Sequence, residues 1–115
     1  MRFHHYALEV NNLEQSIAFY KRYLGLVEEC RFSFMGEEIV FLALGAFRLE
    51  LISGQQEPSQ TTHICFEVND MGEVMNRFAD IRKIEGPYSL ENGWQIVFYE
   101  GPDQEIIEFL QVNPQ

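Results

Sequence analysis

Basic residues and cysteines are scarce in this chain. Eight Lys and Arg stand against 18 Asp and Glu, for a formal net charge of −10. The few basic residues are scattered, whereas a protein that grips nucleic acid or an anionic membrane surface needs them clustered. Neither partner is expected. Two cysteines, Cys30 and Cys65, lie far apart with no C-x-x-C spacing, which argues against a disulfide framework and a zinc knuckle. Cys65 falls in a strand pattern and reads as a small buried thiol. No apolar run approaches the roughly 20 residues of a membrane span. No basic segment followed by an apolar one opens the sequence, because the first residues already read as a strand. The expected location is the cytoplasm.

What is present is the composition of a globular protein, 46% apolar and 23% charged over 115 residues, enough to bury a core in one domain. The sequence also repeats itself. HHYALEVNNLEQSIAFY (4–20) lies over THICFEVNDMGEVMNRF (62–78), with His5 on His63, Glu9 on Glu67 and Tyr20 on Phe78, each 58 residues apart. Residues 3–10 and 61–68 alternate as strands, placing His5, Ala7 and Glu9, and likewise His63, Cys65 and Glu67, on the face opposite the apolar residues. A helix follows each strand. Asn12 with Gln15, and Asp70 with Glu73, have capping spacing. The stripe Leu13, Ile17, Tyr20, Leu24 runs to a stop at Gly25, and a second stripe runs from Met71 through Phe78 to Ile81. Three strand patterns close each copy: RFSFM, EIVFLAL and FRLELI, then PYSLE, WQIVFY and EIIEFL. The polar stretch SGQQEPSQ (53–60) reads as a linker. The expected organisation is one domain over 1–115, with module 1 at 1–55 and module 2 at 60–115.

The last strands of the two copies align at the same offset, so Glu50 matches Glu108, each a carboxylate within an apolar strand. A buried carboxylate needs a partner, a raised pKa or a metal. His5, Glu50, His63 and Glu108 therefore form a coherent set. Imidazoles and carboxylates suit a divalent first-row ion, and two waters would complete an octahedron. His4 fails the repeat test, since its counterpart is Thr62 and alternation turns it away from His5. It reads as a strand-end or surface residue. Phe34, Met35, Phe41, Trp94 and Phe98 could form an apolar wall or simply belong to the core.

Taken together, HHYALEVNNLEQSIAFYKRYLGL, RLELI, THICFEVND and YEGPDQEIIEFL resemble the vicinal oxygen chelate superfamily, the glyoxalase, bleomycin-resistance and extradiol-dioxygenase group. The resemblance spans nearly the whole chain. It implies an α+β fold of two βαβββ modules, whose mixed sheets form a cup around a metal with helices outside. Within that group the His, Glu, His, Glu pattern is similar to glyoxalase I, which carries the ligand roles to His5, Glu50, His63 and Glu108 and the general-base role to Glu108. It also implies a homodimer, in which metal sites can be shared between chains.

The implied activity is that of a metal-dependent lyase or isomerase, acting on a small carbonyl or hemithioacetal through an enediolate, with Ni²⁺, Co²⁺, Zn²⁺, Mn²⁺ or Fe²⁺. The alternatives are a small-ligand-binding protein of the bleomycin-resistance kind, a thiol transferase or a dioxygenase. One departure concerns the thiol. Glu9 stands where glyoxalase I has an arginine for a glutathione carboxylate, so glutathione is not the expected cosubstrate. Glu9, Phe34, Trp94 and Phe98 are the candidate substrate contacts.

Overall fold

The computed structural model describes residues 2–34, 36–54 and 63–112, which fall in two compact units, Met1–Glu57 and Pro58–Gln115. The first runs β1 (Tyr6–Val10), α1 (Leu13–Leu24), β2 (Val27–Phe34), β3 (Glu37–Leu44) and β4 (Phe47–Ser53). The second repeats the order as β5 (His63–Glu67), α2 (Met71–Arg77), β6 (Lys83–Ser89), β7 (Gln95–Glu100) and β8 (Ile106–Gln111). Each unit is a mixed four-stranded sheet, ordered β1-β4-β3-β2 or β5-β8-β7-β6. The first and last strands of each module pair in parallel and the others antiparallel. The fold class is α+β, built from two βαβββ modules.

Capping works as the sequence implies. The Asn12 side chain accepts from the Gln15 N–H at 3.0 Å, and Asp70 accepts from the Glu73 N–H at 3.3 Å. Each satisfies a donor that the first helical turn leaves free. α1 ends at Gly25, whose φ of 75° a side-chain-bearing residue adopts only under strain. In module 1, α1 packs over β4, and its Leu13, Ile17 and Tyr20 are buried along with Leu49 and Leu51 of that strand. In module 2 the core is aromatic: Phe78 lies 4.9 Å from the Tyr99 ring and 5.0 Å from the Phe109 ring, centroid to centroid. Buried Gln111 accepts from the Met71 N–H and ties β8 to the start of α2.

Several boundaries differ from the sequence pattern. β1 starts at Tyr6 and not at residue 3. β2 and β6 start at Val27 and Lys83, each four residues before the patterns RFSFM and PYSLE. Both are edge strands, and every residue of β2 is exposed, so no buried face imposes a period-two signal on their sequences. α2 stops at Arg77, short of the stripe to Ile81. The Ala79 and Ile81 N–H groups donate to the Asn76 and Phe78 carbonyls, tighter turns that replace the helix while Phe78 stays in the core. Of the linker, Ser53 ends β4 and Gly54 follows; its remainder, with Thr61, Thr62 and Met35, lies outside the described residues.

Because Phe78 is 1% exposed and joins α2 to two strands, Phe78→Ala should destabilise the protein by about 3–5 kcal/mol. Asn12→Ala, which removes only a cap, should cost about 1 kcal/mol. Urea unfolding of both variants checks the ranking; equal midpoints would show that α2 is not held through this cluster.

Candidate metal-binding site

The parallel pairs decide where the charged side chains go. In β1 and β4 the register sets Ala7 opposite Glu50, and in β5 and β8 it sets Cys65 opposite Glu108. Each histidine stands two residues before the partner of the glutamate. Within β5 the two-residue period sets His63 on the face of Cys65 and so beside Glu108; His5 precedes β1, and its side chain reaches Glu50 from just before the strand. His5 Nε2 is 3.1 Å from Glu50 Oε1, and His63 Nε2 is 3.0 Å from Glu108 Oε1. The flanking residues Leu49 and Leu51, and Ile107 and Phe109, point to the core. Both glutamate side chains are 14% exposed, so each carboxylate is largely out of water and needs the partner it has.

A phenylalanine closes the other flank of each pair. Phe41 is the cross-strand partner of Glu50, and Phe98 that of Glu108. Phe41 meets the His5 ring edge-on at 5.0 Å, and Phe98 meets His63 at 6.4 Å. Phe98 was legible as a wall candidate, but its equivalence to Phe41 was not. The tripeptide Ile-Val-Phe recurs at 39–41 and 96–98, an offset of 57 where the other repeats have 58. Glu108 follows Phe98 by one residue more than Glu50 follows Phe41, which hides the match at fixed offset.

The donor chemistry fits a divalent cation. Two ligands held at right angles about 2.1 Å from one ion stand about 3.0 Å apart, the separation seen in both pairs. It is equally the length of an imidazole N–H donating to a carboxylate, the bond available without metal. Within either module, among the described residues, no third His, Cys, Asp or Glu joins the pair in a metal-sized group.

His4 is exposed just before β1, as expected of a strand-end or surface residue, but it does not face away from His5. Since β1 begins at Tyr6, alternation does not reach back to residue 4. The His4 ring lies against His5, Nδ1 to Nδ1 at 2.9 Å, and is not turned away. Its counterpart Thr62 is outside the described residues. Cys65 also departs from expectation: it is exposed, because it shares the face of His63 and Glu67 and not that of Ile64. Partial desolvation of its sulphur, followed by the Glu108 carboxylate that accepts its hydrogen bond, pushes the thiol up to about 11. Its counterpart Ala7 gives Glu50 no such donor.

Of the remaining candidates, Glu9 is exposed at the end of β1, with its carboxylate over Gly54, where an added Cβ would lie 2.9 Å from Oε2. Phe34 is 62% exposed on β2 and joins neither pair. Trp94 is half-buried just before β7, and its backbone N–H donates to Asn92 Oδ1 at 3.0 Å.

Two βαβββ modules, each carrying a His–Glu pair flanked by phenylalanine, define a class of duplicated α+β proteins. The chain belongs to the Glyoxalase/Bleomycin resistance protein/Dioxygenase superfamily, whose family model matches residues 4–98. No curated protein matches it. Among solved structures, lactoylglutathione lyase from Agrobacterium tumefaciens is 23% identical with a TM-score of 0.75, covering 96% of this chain and 92% of that one. A glyoxalase family protein from Enterococcus faecalis is 22% identical with a TM-score of 0.82, covering 95% and 96%. A mutant of the fosfomycin resistance protein FosX from Listeria monocytogenes, complexed with Mn(II) and a dihydroxypropylphosphonic acid, is 16% identical with a TM-score of 0.81, covering 95% and 90%. These likenesses show the fold. Among the described residues no helix is long and apolar enough to cross a membrane.

The Cys65 thiol makes a direct check of the module 2 geometry. With Cys30 replaced by Ala and chelator present, alkylation of Cys65 should stay slow at neutral pH and rise to half its maximum near pH 11. Only the thiolate reacts, and its formation beside Glu108 is disfavoured. Glu108→Gln should move the midpoint down. A wild-type midpoint near the ordinary thiol value of about 8.5 would place Cys65 away from that carboxylate.

Proposed function

We propose that the protein is a metal-dependent, glyoxalase-like lyase or isomerase acting on a small carbonyl or hemithioacetal, with His5, Glu50, His63 and Glu108 as its divalent-metal ligands. The observation that carries the reading is the repeated pair, His Nε2 to Glu Oε1 at 3.1 and 3.0 Å. In both modules the pair stands at the same register with the same carboxylate burial, so each half offers the same two donors. Membership of the superfamily, and the Mn(II) complex of the FosX structure, support a divalent metal as cofactor. Ni²⁺, Co²⁺, Zn²⁺, Mn²⁺ and Fe²⁺ all suit two imidazoles and two carboxylates.

When bound, such an ion supplies Lewis acidity toward two adjacent substrate oxygens. The chain's own residues supply the rest. Glu108 carries a proton between neighbouring carbons as general base, and its low exposure and the Cys65 hydrogen bond hold it in place. Phe98 excludes water from the same side of the pair. Trp94 and Phe34 stand as further substrate contacts, and Glu9 selects against an anionic group at its end of β1. A homodimer accounts for the apolar residues left exposed on edge strands, Val27 and Phe34 on β2 and Ile84 and Tyr88 on β6.

Glu50→Gln and Glu108→Gln should each weaken binding of Co²⁺ or Mn²⁺ by about tenfold or more, because an amide is a poorer ligand than a carboxylate. Calorimetric titration of metal-free protein measures it. Unchanged affinity in both variants would remove the glutamates from the site. Only Glu108→Gln should then abolish hemithioacetal turnover at saturating metal.

Glu9 generates a separate expectation. Wild-type protein should turn over the glutathione hemithioacetal poorly, and Glu9→Arg should raise kcat/KM by about twofold to fivefold through KM, as an exposed charge contact does. Steady-state kinetics at low salt check this. Efficient glutathione turnover by the wild type, with no gain on substitution, would discard the role given to Glu9.

A further inference from the structure

We propose that His4 is the positioning residue for His5: its ring nitrogen holds His5 Nδ1, so that His5 Nε2 stays aimed at Glu50. The consequence for metal binding rests on the function proposed above; the geometry does not.

His5 has little else to hold it. It precedes β1, so no ladder of strand hydrogen bonds fixes its backbone. An imidazole torsion is broad and nearly two-fold, so an unrestrained ring flips and offers carbon where nitrogen had been. Among the described residues, three contacts restrain this ring. Glu50 Oε1 stands 3.1 Å from Nε2, and His4 Nδ1 stands 2.9 Å from Nδ1. Phe41 packs edge-on against both imidazoles, 5.0 Å from His5 and 6.0 Å from His4, and the two imidazoles are themselves perpendicular at 5.2 Å. Removing His4 leaves Nδ1 without this partner and the flip opposed by Phe41 and Glu50 alone.

A second imidazole suits this task because its nitrogen can donate or accept according to tautomer. Without metal, His5 donates Nε2–H to Glu50. Its Nδ1 then accepts, so His4 must donate from Nδ1. Were His5 to hold a cation through Nε2, its proton would sit on Nδ1 and His4 would accept it, with the His4 proton on Nε2. The number of protons on the two rings is unchanged. A ligating histidine is ordinarily oriented through its second nitrogen, and loss of that partner lowers metal affinity.

Two variants separate hydrogen bonding from packing. His4→Phe keeps a ring against Phe41 but has no nitrogen; His4→Asn keeps a short group able to donate or accept. Because residue 4 is exposed, both should fold. Titration with Zn²⁺ against a chromophoric chelator should show about a tenfold loss of affinity in His4→Phe and recovery of most of it in His4→Asn. Long-range ¹H–¹⁵N spectra of the wild type should show His4 protonated at Nδ1 without metal and at Nε2 with zinc. Wild-type zinc affinity in His4→Phe would overturn the proposal, as would a His4 tautomer that ignores zinc. If neither protein binds zinc, the metal reading fails and the metal-free spectra decide alone. One fixed His5 tautomer in the wild type, averaged in His4→Phe, upholds the positioning role, and identical spectra overturn it.

Discussion

A carboxylate set into the middle of an apolar strand constrains everything around it. Leu49 and Leu51 on either side of Glu50, and Ile107 and Phe109 on either side of Glu108, must face the core. The glutamates are thereby committed to the opposite face at 14% exposure, where an unpartnered charge would cost several kcal/mol. The parallel pairing of the first and last strands of each module answers that cost, because it delivers the histidine two residues from the glutamate's own partner. A parallel pair needs a crossover between its strands, and the helix and the two intervening strands provide it. The βαβββ order is therefore also what brings a residue at the start of the module beside one at its end.

Duplication makes the two pairs alike without making their surroundings alike. His5 has a second histidine behind it, whereas His63 follows a threonine. Glu108 has a thiol opposite it in register, whereas Glu50 has Ala7. Cys65 and His4 are the local differences between the two pairs.

The helices, the repeat and the pairing candidates were legible because each leaves a local mark: a cap three residues before the N–H that donates to it, an apolar stripe at helical period, a glutamate among aliphatics at the same offset as a histidine. The edge strands were less legible. β2 buries neither face, so only its RFSFM half looked like a strand. His4 was misplaced because alternation was carried back beyond Tyr6, where the strand and its two-residue period begin. Cys65 was expected inside on the general habit of cysteine, against its own register position.

By itself the sequence determined that there are two copies of one module, which residues of each face the core, and which four polar residues recur in step. Periodicity and offset contain that information because they follow from the chain's own geometry. Only the tertiary structure decided that strand one lies parallel to strand four and not beside its neighbour in sequence. It alone set Nε2 of each histidine 3.0–3.1 Å from a carboxylate oxygen and brought His4 and Phe41 around the His5 ring. Those contacts join residues more than 35 positions apart, or neighbours outside any regular element, and no local pattern encodes a distance of that kind.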